Sequence, residues 1–120
     1  MKVLIVDDSK AMRMITVRTL RQIDFGELRV LEAANGAEAL KLLEAETPDV
    51  VFSDWNMPEM NGIEFLKAVR SAGNSVRFGF VTSESSPAIR QQAEEAGASF
   101  LITKPFTPQA FESALRLIST

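Results

Sequence analysis

The chain has 120 residues, 46% of them hydrophobic, with 13 basic against 16 acidic side chains and a net charge of −3. At about 100–200 residues per domain, this reads as a single domain over 1–120. It contains neither cysteine nor histidine, which excludes disulfides, thiolate or imidazole metal sites, the Ser-His-Asp triad and a histidine general base.

The chain opens on an apolar run, Val3 to Val6, that stops at Asp7 and Asp8 after four residues. A signal peptide needs an apolar stretch of roughly 7–15 residues and a membrane span about 20, so a soluble, cytoplasmic protein is expected. Short Val- and Ile-rich runs without polar interruption suit strands covered on both faces. Four more short runs rich in apolar residues follow: Leu28 to Ala33, Val50 to Phe52, Phe78 to Val81 and Phe100 to Ile102. Segments of helical period separate them. The first presents Met12, Ile15, Thr19 and Ile23, the second Ala39, Leu40 and Leu43, the third Phe65, Leu66 and Val69, and the last Phe111, Leu115 and Ile118.

Punctuation agrees with this division. Asn35 followed by Glu38 is the pattern of a capping box. Ser86-Pro87 and Thr107-Pro108 each set a capping hydroxyl before a first-turn proline, and Gly97 sits where the fourth helix should stop. Five strands alternating with five helices predict an α/β fold, a doubly wound five-stranded parallel sheet of flavodoxin-like (βα)5 type. Gly79, inside the fourth strand, is expected to allow close packing.

In such sheets ligands bind beyond the carboxyl ends of the strands, at the switch point of the strand order. Asp7 and Asp8 follow the first strand, Asp54 the third, Thr82 and Ser83 the fourth, and Thr103, Lys104 and Pro105 the fifth. With strand order 2-1-3-4-5, the carboxylates of Asp7, Asp8 and Asp54 converge. Like charges about 4 Å apart repel by roughly 4 kcal/mol at an effective dielectric near 20, so a cation is the natural complement. Oxygen-only donors favour a hard ion such as Mg²⁺, with Mn²⁺ able to substitute. The same inventory fits phosphoryl transfer to a carboxylate: metal and lysine neutralise the transferring group, a hydroxyl donates to it, and an Asp attacks. The acidic balance and the lack of a Lys/Arg run argue against nucleic acid as partner.

Four motifs now stand in order: KVLIVDDS from Lys2, SDWNMPEMNGIEFL from Ser53, VTSES from Val81 and AGASFLITKPF from Ala96. Together they resemble the receiver domain of two-component response regulators, most of all its stand-alone chemotaxis members. The resemblance implies that Asp54 accepts the phosphoryl group, that Asp7 and Asp8 position Mg²⁺, and that Asn56 adds its main-chain carbonyl to the metal. Thr82 would bond the phosphoryl group, Lys104 would pair with it, and the Lys104–Pro105 bond would be cis. Asn56 and Glu84, each two residues beyond a site residue, would line the path of the hydrolytic water. The family usually carries Tyr or Phe three residues before the lysine; here that position is Leu101, with Phe100 beside it on the opposite strand face.

The implied function is a phosphorylation-controlled signalling module, with no enzymatic activity beyond its own phosphorylation and dephosphorylation and a place in chemotaxis or motility. Its expected partners are a histidine kinase or phosphotransfer protein as donor, a downstream protein target and a phosphatase, with the chain itself a monomer. The donor must be another chain, because this one has no histidine. An enzyme reading competes: a small metal-dependent phosphohydrolase with an aspartyl-phosphate intermediate. Such enzymes place two acids one residue apart and carry a substrate cap, whereas Asp7 and Asp8 are adjacent. A nucleotide or flavin carrier would need a Gly- or Ser/Thr-rich cradle where the chain reads Asp-Asp-Ser-Lys. Trp55, next to Asp54, is expected to form a partly exposed wall.

Overall fold

A computed structural model of the chain describes residues 1–119, so the final residue of the expected domain lies outside the described residues. The strands β1 (Lys2–Val6), β2 (Arg29–Ala33), β3 (Val50–Ser53), β4 (Arg77–Thr82) and β5 (Phe100–Thr103) alternate with α1 (Lys10–Leu20), α2 (Gly36–Ala45), α3 (Gly62–Ser71), α4 (Pro87–Glu95) and α5 (Pro108–Ser119). All pairings are parallel and the order is β2-β1-β3-β4-β5, as the sequence predicts. Strand ends shift by at most one residue, and Leu28 falls outside β2.

Side chains alternate across the sheet with the period of two that a pleated strand imposes. Leu4, Val6, Val51, Phe78 and Phe80 point to one face, where Ala39 of α2, Phe65, Leu66 and Val69 of α3 and Ala93 of α4 close over them. Val3, Ile5, Val50, Phe52 and Ile102 point to the other, against Leu20 of α1 and Phe111, Ala114 and Leu115 of α5. The central strands β1, β3 and β4 are therefore buried almost throughout. The second strand departs from the expected two-sided cover: it is an edge strand, and its Glu32 is exposed.

The face of α1 is also displaced from its expected position. Thr16, Thr19 and Leu20 are buried, Ile15 is 46% exposed, and Ile23 lies beyond the end of the helix, although it still packs on the core. A threonine serves here as a small apolar residue because its hydroxyl can bond its own helix: Thr19 Oγ1 donates to the Ile15 carbonyl at 2.8 Å.

Caps begin the helices as expected at Ser86, which accepts from Ile89 N, and at Thr107, which accepts from Ala110 N. Asn35 caps α2, but Glu38 returns to Ala34 N instead of completing a box. The complete reciprocal box lies at Asn61 and Glu64, at the start of α3. At the amino ends of the strands, Arg70 donates to the carbonyls of Asn74 and Gly97, joining the turns that follow α3 and α4.

Phe100 lies across Gly79, its cross-strand neighbour: a Cβ at Gly79 would stand 1.9 Å from the Phe100 ring. The ring packs instead on Phe52, at 5.4 Å between centroids. Gly79→Ala should therefore cost about 1–3 kcal/mol of stability, measured by urea denaturation, and adding Phe100→Leu should recover part of that loss. Additive costs in the double variant would refute the contact.

Candidate functional site

The ladder of the parallel sheet continues one bond past three strands. Asp7 N donates to Ala33 O at 3.1 Å, Asp54 N to Val6 O at 2.9 Å and Lys104 N to Thr82 O at 2.8 Å. Each of these residues is the first after its strand, so its backbone is as fixed as the strand itself while its side chain is released at the sheet's carboxyl edge. The sequence expectation that Asp7, Asp8 and Asp54 converge holds: each offers one oxygen, all within 4.8 Å of one another. Lys104 Nζ stands between two of them, 3.5 Å from Asp7 Oδ2 and 3.5 Å from Asp54 Oδ1. The Lys104–Pro105 bond is cis, as the resemblance implies.

Local bonds orient the acids. Asp7, 6% exposed, accepts from Ser9 N through Oδ1, while Ser9 caps α1. Asp54 Oδ1 accepts from Trp55 N at 2.8 Å. Asp8 is exposed, with one oxygen in the acidic cluster. Burial raises the Asp54 carboxyl above its ordinary range and Asp7 pushes it further in the same direction, against the opposing pull of Lys104 and the Trp55 N–H. Such a set of oxygen donors suits a hard divalent cation, which would relieve the crowding the lysine answers only in part.

The remaining expected residues surround this centre. Thr82 is fully buried at the end of β4, where its Oγ1 accepts from Glu84 N, leaving its own O–H available as a donor. Asn56 is linked to the β4–α4 loop, since its Nδ2 donates to Glu84 Oε1 at 3.2 Å. Trp55 is not the exposed wall the sequence suggested. It is 7% exposed and meets Phe80 edge-on at 4.8 Å between centroids, a tertiary contact that no local pattern announces. Gly62 permits a close approach: a Cβ there would lie 2.4 Å from the Asp54 carbonyl oxygen and 2.7 Å from the Phe80 ring. Its absence lets α3 close on the Asp54 loop through Gly62 N to Trp55 O. Arg13, which helical periodicity marks only as one more surface charge, donates through Nη1 to the main-chain oxygen of Asp7 and through Nε to Glu32.

The crowding has a measurable sign. A carboxyl whose folded pKa is raised binds its proton more tightly in the folded state, so its ionisation costs stability as pH rises above the unfolded value of about 3.9. Asp54→Asn should raise the thermal midpoint at pH 7 in EDTA by roughly 2–6 °C, for a change on the order of 1 kcal/mol in a domain of this size. The gain should shrink as pH falls through the carboxylate range, and a variant less stable than the parent at pH 7 would contradict the assignment.

Residues 3–116 match the family model for the response regulator receiver domain. The chain is 40% identical to chemotaxis protein CheY1 of Helicobacter pylori, covering 98% of this chain and 96% of that one. It is 44% identical to a CheY homologue of Campylobacter jejuni, over 96% and 89% of the two chains. In structure it resembles the chemotaxis protein CheY4 of Vibrio cholerae, with a TM-score of 0.87 and 37% identity over 98% and 97% of the chains. These likenesses lend no support to the phosphohydrolase alternative; with the strand order and the acidic pocket, they place the chain in the receiver-domain family of response regulators.

Proposed function

We propose that Asp54 accepts a phosphoryl group from a phosphohistidine on a partner histidine kinase or phosphotransfer protein, and that the acyl phosphate switches the chain's affinity for a downstream protein. The observation that supports this most directly is the placement of the Lys104 ammonium at 3.5 Å from both Asp54 and Asp7, in a site where oxygens of Asp7, Asp8 and Asp54 lie within 4.8 Å of one another. In the transfer, an Asp54 carboxylate oxygen attacks phosphorus, the P–N bond breaks and the imidazole leaves with its electron pair. Lys104 neutralises charge on the transferring group, and Thr82 donates a hydrogen bond from its hydroxyl to a phosphoryl oxygen. Asp7, Asp8, Asp54 and the Asn56 carbonyl would hold Mg²⁺, which supplies electrostatic stabilisation of the phosphoryl oxygens when bound. The donor acts in trans, as a chain without histidine requires.

Hydrolysis of the acyl phosphate resets the module, and in this reading Asn56 and Glu84, which are hydrogen-bonded to each other, steer the attacking water. Relatives named as chemotaxis proteins favour a role of that kind, with a kinase, a target and a phosphatase as partners. No helix among the described residues is long and apolar enough to cross a membrane, which is consistent with action in the cytoplasm.

With Leu101 at the position where the family usually carries Tyr or Phe, the readout does not run through an aromatic ring there. Leu101 packs with the cluster under α4, whereas Phe100 is lodged on the other face against Phe52 and Gly79. Movement of Thr82 toward the phosphoryl group would draw the Thr82–Glu84 turn and, through Ser86, the start of α4.

Acetyl phosphate with Mg²⁺ should add one labile phosphoryl group, seen by intact-mass spectrometry, and Asp54→Asn should abolish it. Label retained in Asp54→Asn would refute the acceptor assignment. With beryllofluoride and Mg²⁺, amide hydrogen exchange should change over 82–95, while the Phe100 ring resonances stay in place. A fixed β4–α4 loop together with a reoriented Phe100 or Leu101 would reverse the proposed route.

A further inference from the structure

Arg13 sits on α1, and its side chain is only 14% exposed. Its guanidinium is divided between two acceptors: Nη1 donates to the main-chain oxygen of Asp7 at 2.7 Å, and Nε to Glu32 Oε1 at 3.0 Å. The Asp7 oxygen belongs to the planar peptide unit that joins Asp7 to Asp8. A bond to that oxygen fixes the plane's rotation and with it the relative placement of the two acids. The other side of Asp7 is already held by the ladder bond to Ala33 and the side-chain bond from Ser9 N. Arg13 therefore restrains the peptide that joins two like charges that repel. Glu32, on the edge strand beside β1, holds the far side of the guanidinium.

We infer that Arg13 is a positioning residue for the divalent-cation site: by holding the Asp7–Asp8 peptide, it presents both carboxylates to the ion. This rests on the magnesium reading above. Geometry and charge predict opposite signs here, which makes the inference sharp. As a cation near an acidic pocket, Arg13 would weaken Mg²⁺ binding, and its removal would tighten it. As a positioning residue, it strengthens binding, and its removal loosens it. Groups that orient metal ligands typically contribute 10–100-fold in affinity.

Mg²⁺ titrations followed by Trp55 emission and by calorimetry, with thermal midpoints in EDTA, separate these cases. Arg13→Ala should raise the Mg²⁺ Kd about tenfold. Arg13→Lys keeps the charge but loses the fork, and should raise Kd about threefold. Arg18→Ala, which removes an exposed charge from the same helix, should leave Kd within about twofold. Near-UV circular dichroism identifies the folded variants; if Arg13→Ala does not fold, Arg13→Lys carries the test. An unchanged or lower Kd in a folded Arg13 variant, or an equal rise in Arg18→Ala, overturns the inference. A parent chain with no saturable Mg²⁺ response overturns the metal reading instead.

Discussion

Backbone hydrogen bonds compel the carboxylates to share a pocket that their charges alone would disperse. Asp7 and Asp54 cannot withdraw, because each is bonded into the sheet through its own N–H. Asp8 can turn only as far as its peptide with Asp7 allows. Lys104 is brought to the same point by the same device, one residue beyond β5. The sheet is itself held by apolar burial on two faces, so the electrostatic cost of the site is met by packing remote from it. Stability and reactivity are divided along the strands: the middles bury side chains, and the carboxyl ends hold charge.

The two faces contribute differently. On the α2–α4 side, Gly62 allows α3 to press against the Asp54 loop, and Trp55 fills the space over Phe80. On the α1–α5 side, Phe52, Phe100 and Phe111 form a continuous aromatic layer, extended by Phe106 on Phe111. A residue on β5 belongs to one layer or the other by parity alone. Leu101 and Phe100 are adjacent in sequence but answer to different neighbours, which is why an aromatic ring one position away is no substitute for one at Leu101.

Much of this was legible in the sequence because it rests on patterns that reach only a few residues. Short runs rich in Val, Ile, Leu and Phe mark the strands, and the acids and the lysine stand directly after three of them, so the sheet's topology brings them together. The Asn61–Glu64 box was equally local, in the run Asn-Gly-Ile-Glu, yet the competing Asn35–Glu38 spacing drew attention to a box that does not close. Other features depend on the fold. Burial of α1 follows the surface it meets, which accepts Thr16 and Thr19 and leaves Ile15 in water. Trp55 is covered by a residue 25 positions later, at Phe80, and Arg13 acquires a role only because α1 lies across the end of β1.

Arg70 gives the molecule a fixed point. Its guanidinium joins the turn before β4 to the turn after α4, at the end of the sheet away from the acids. The α4 helix, nine residues and so about 13 Å long, is thereby tethered at its carboxyl end, while its amino end begins just beyond Thr82 and Glu84. A helix held in this way has a fulcrum. A shift of an ångström or so at the Thr82 turn is expected to reach its first turn as a swing about Gly97 instead of a translation of the whole helix. Displacement is then largest where α4 leaves the pocket and smallest where it rejoins the sheet.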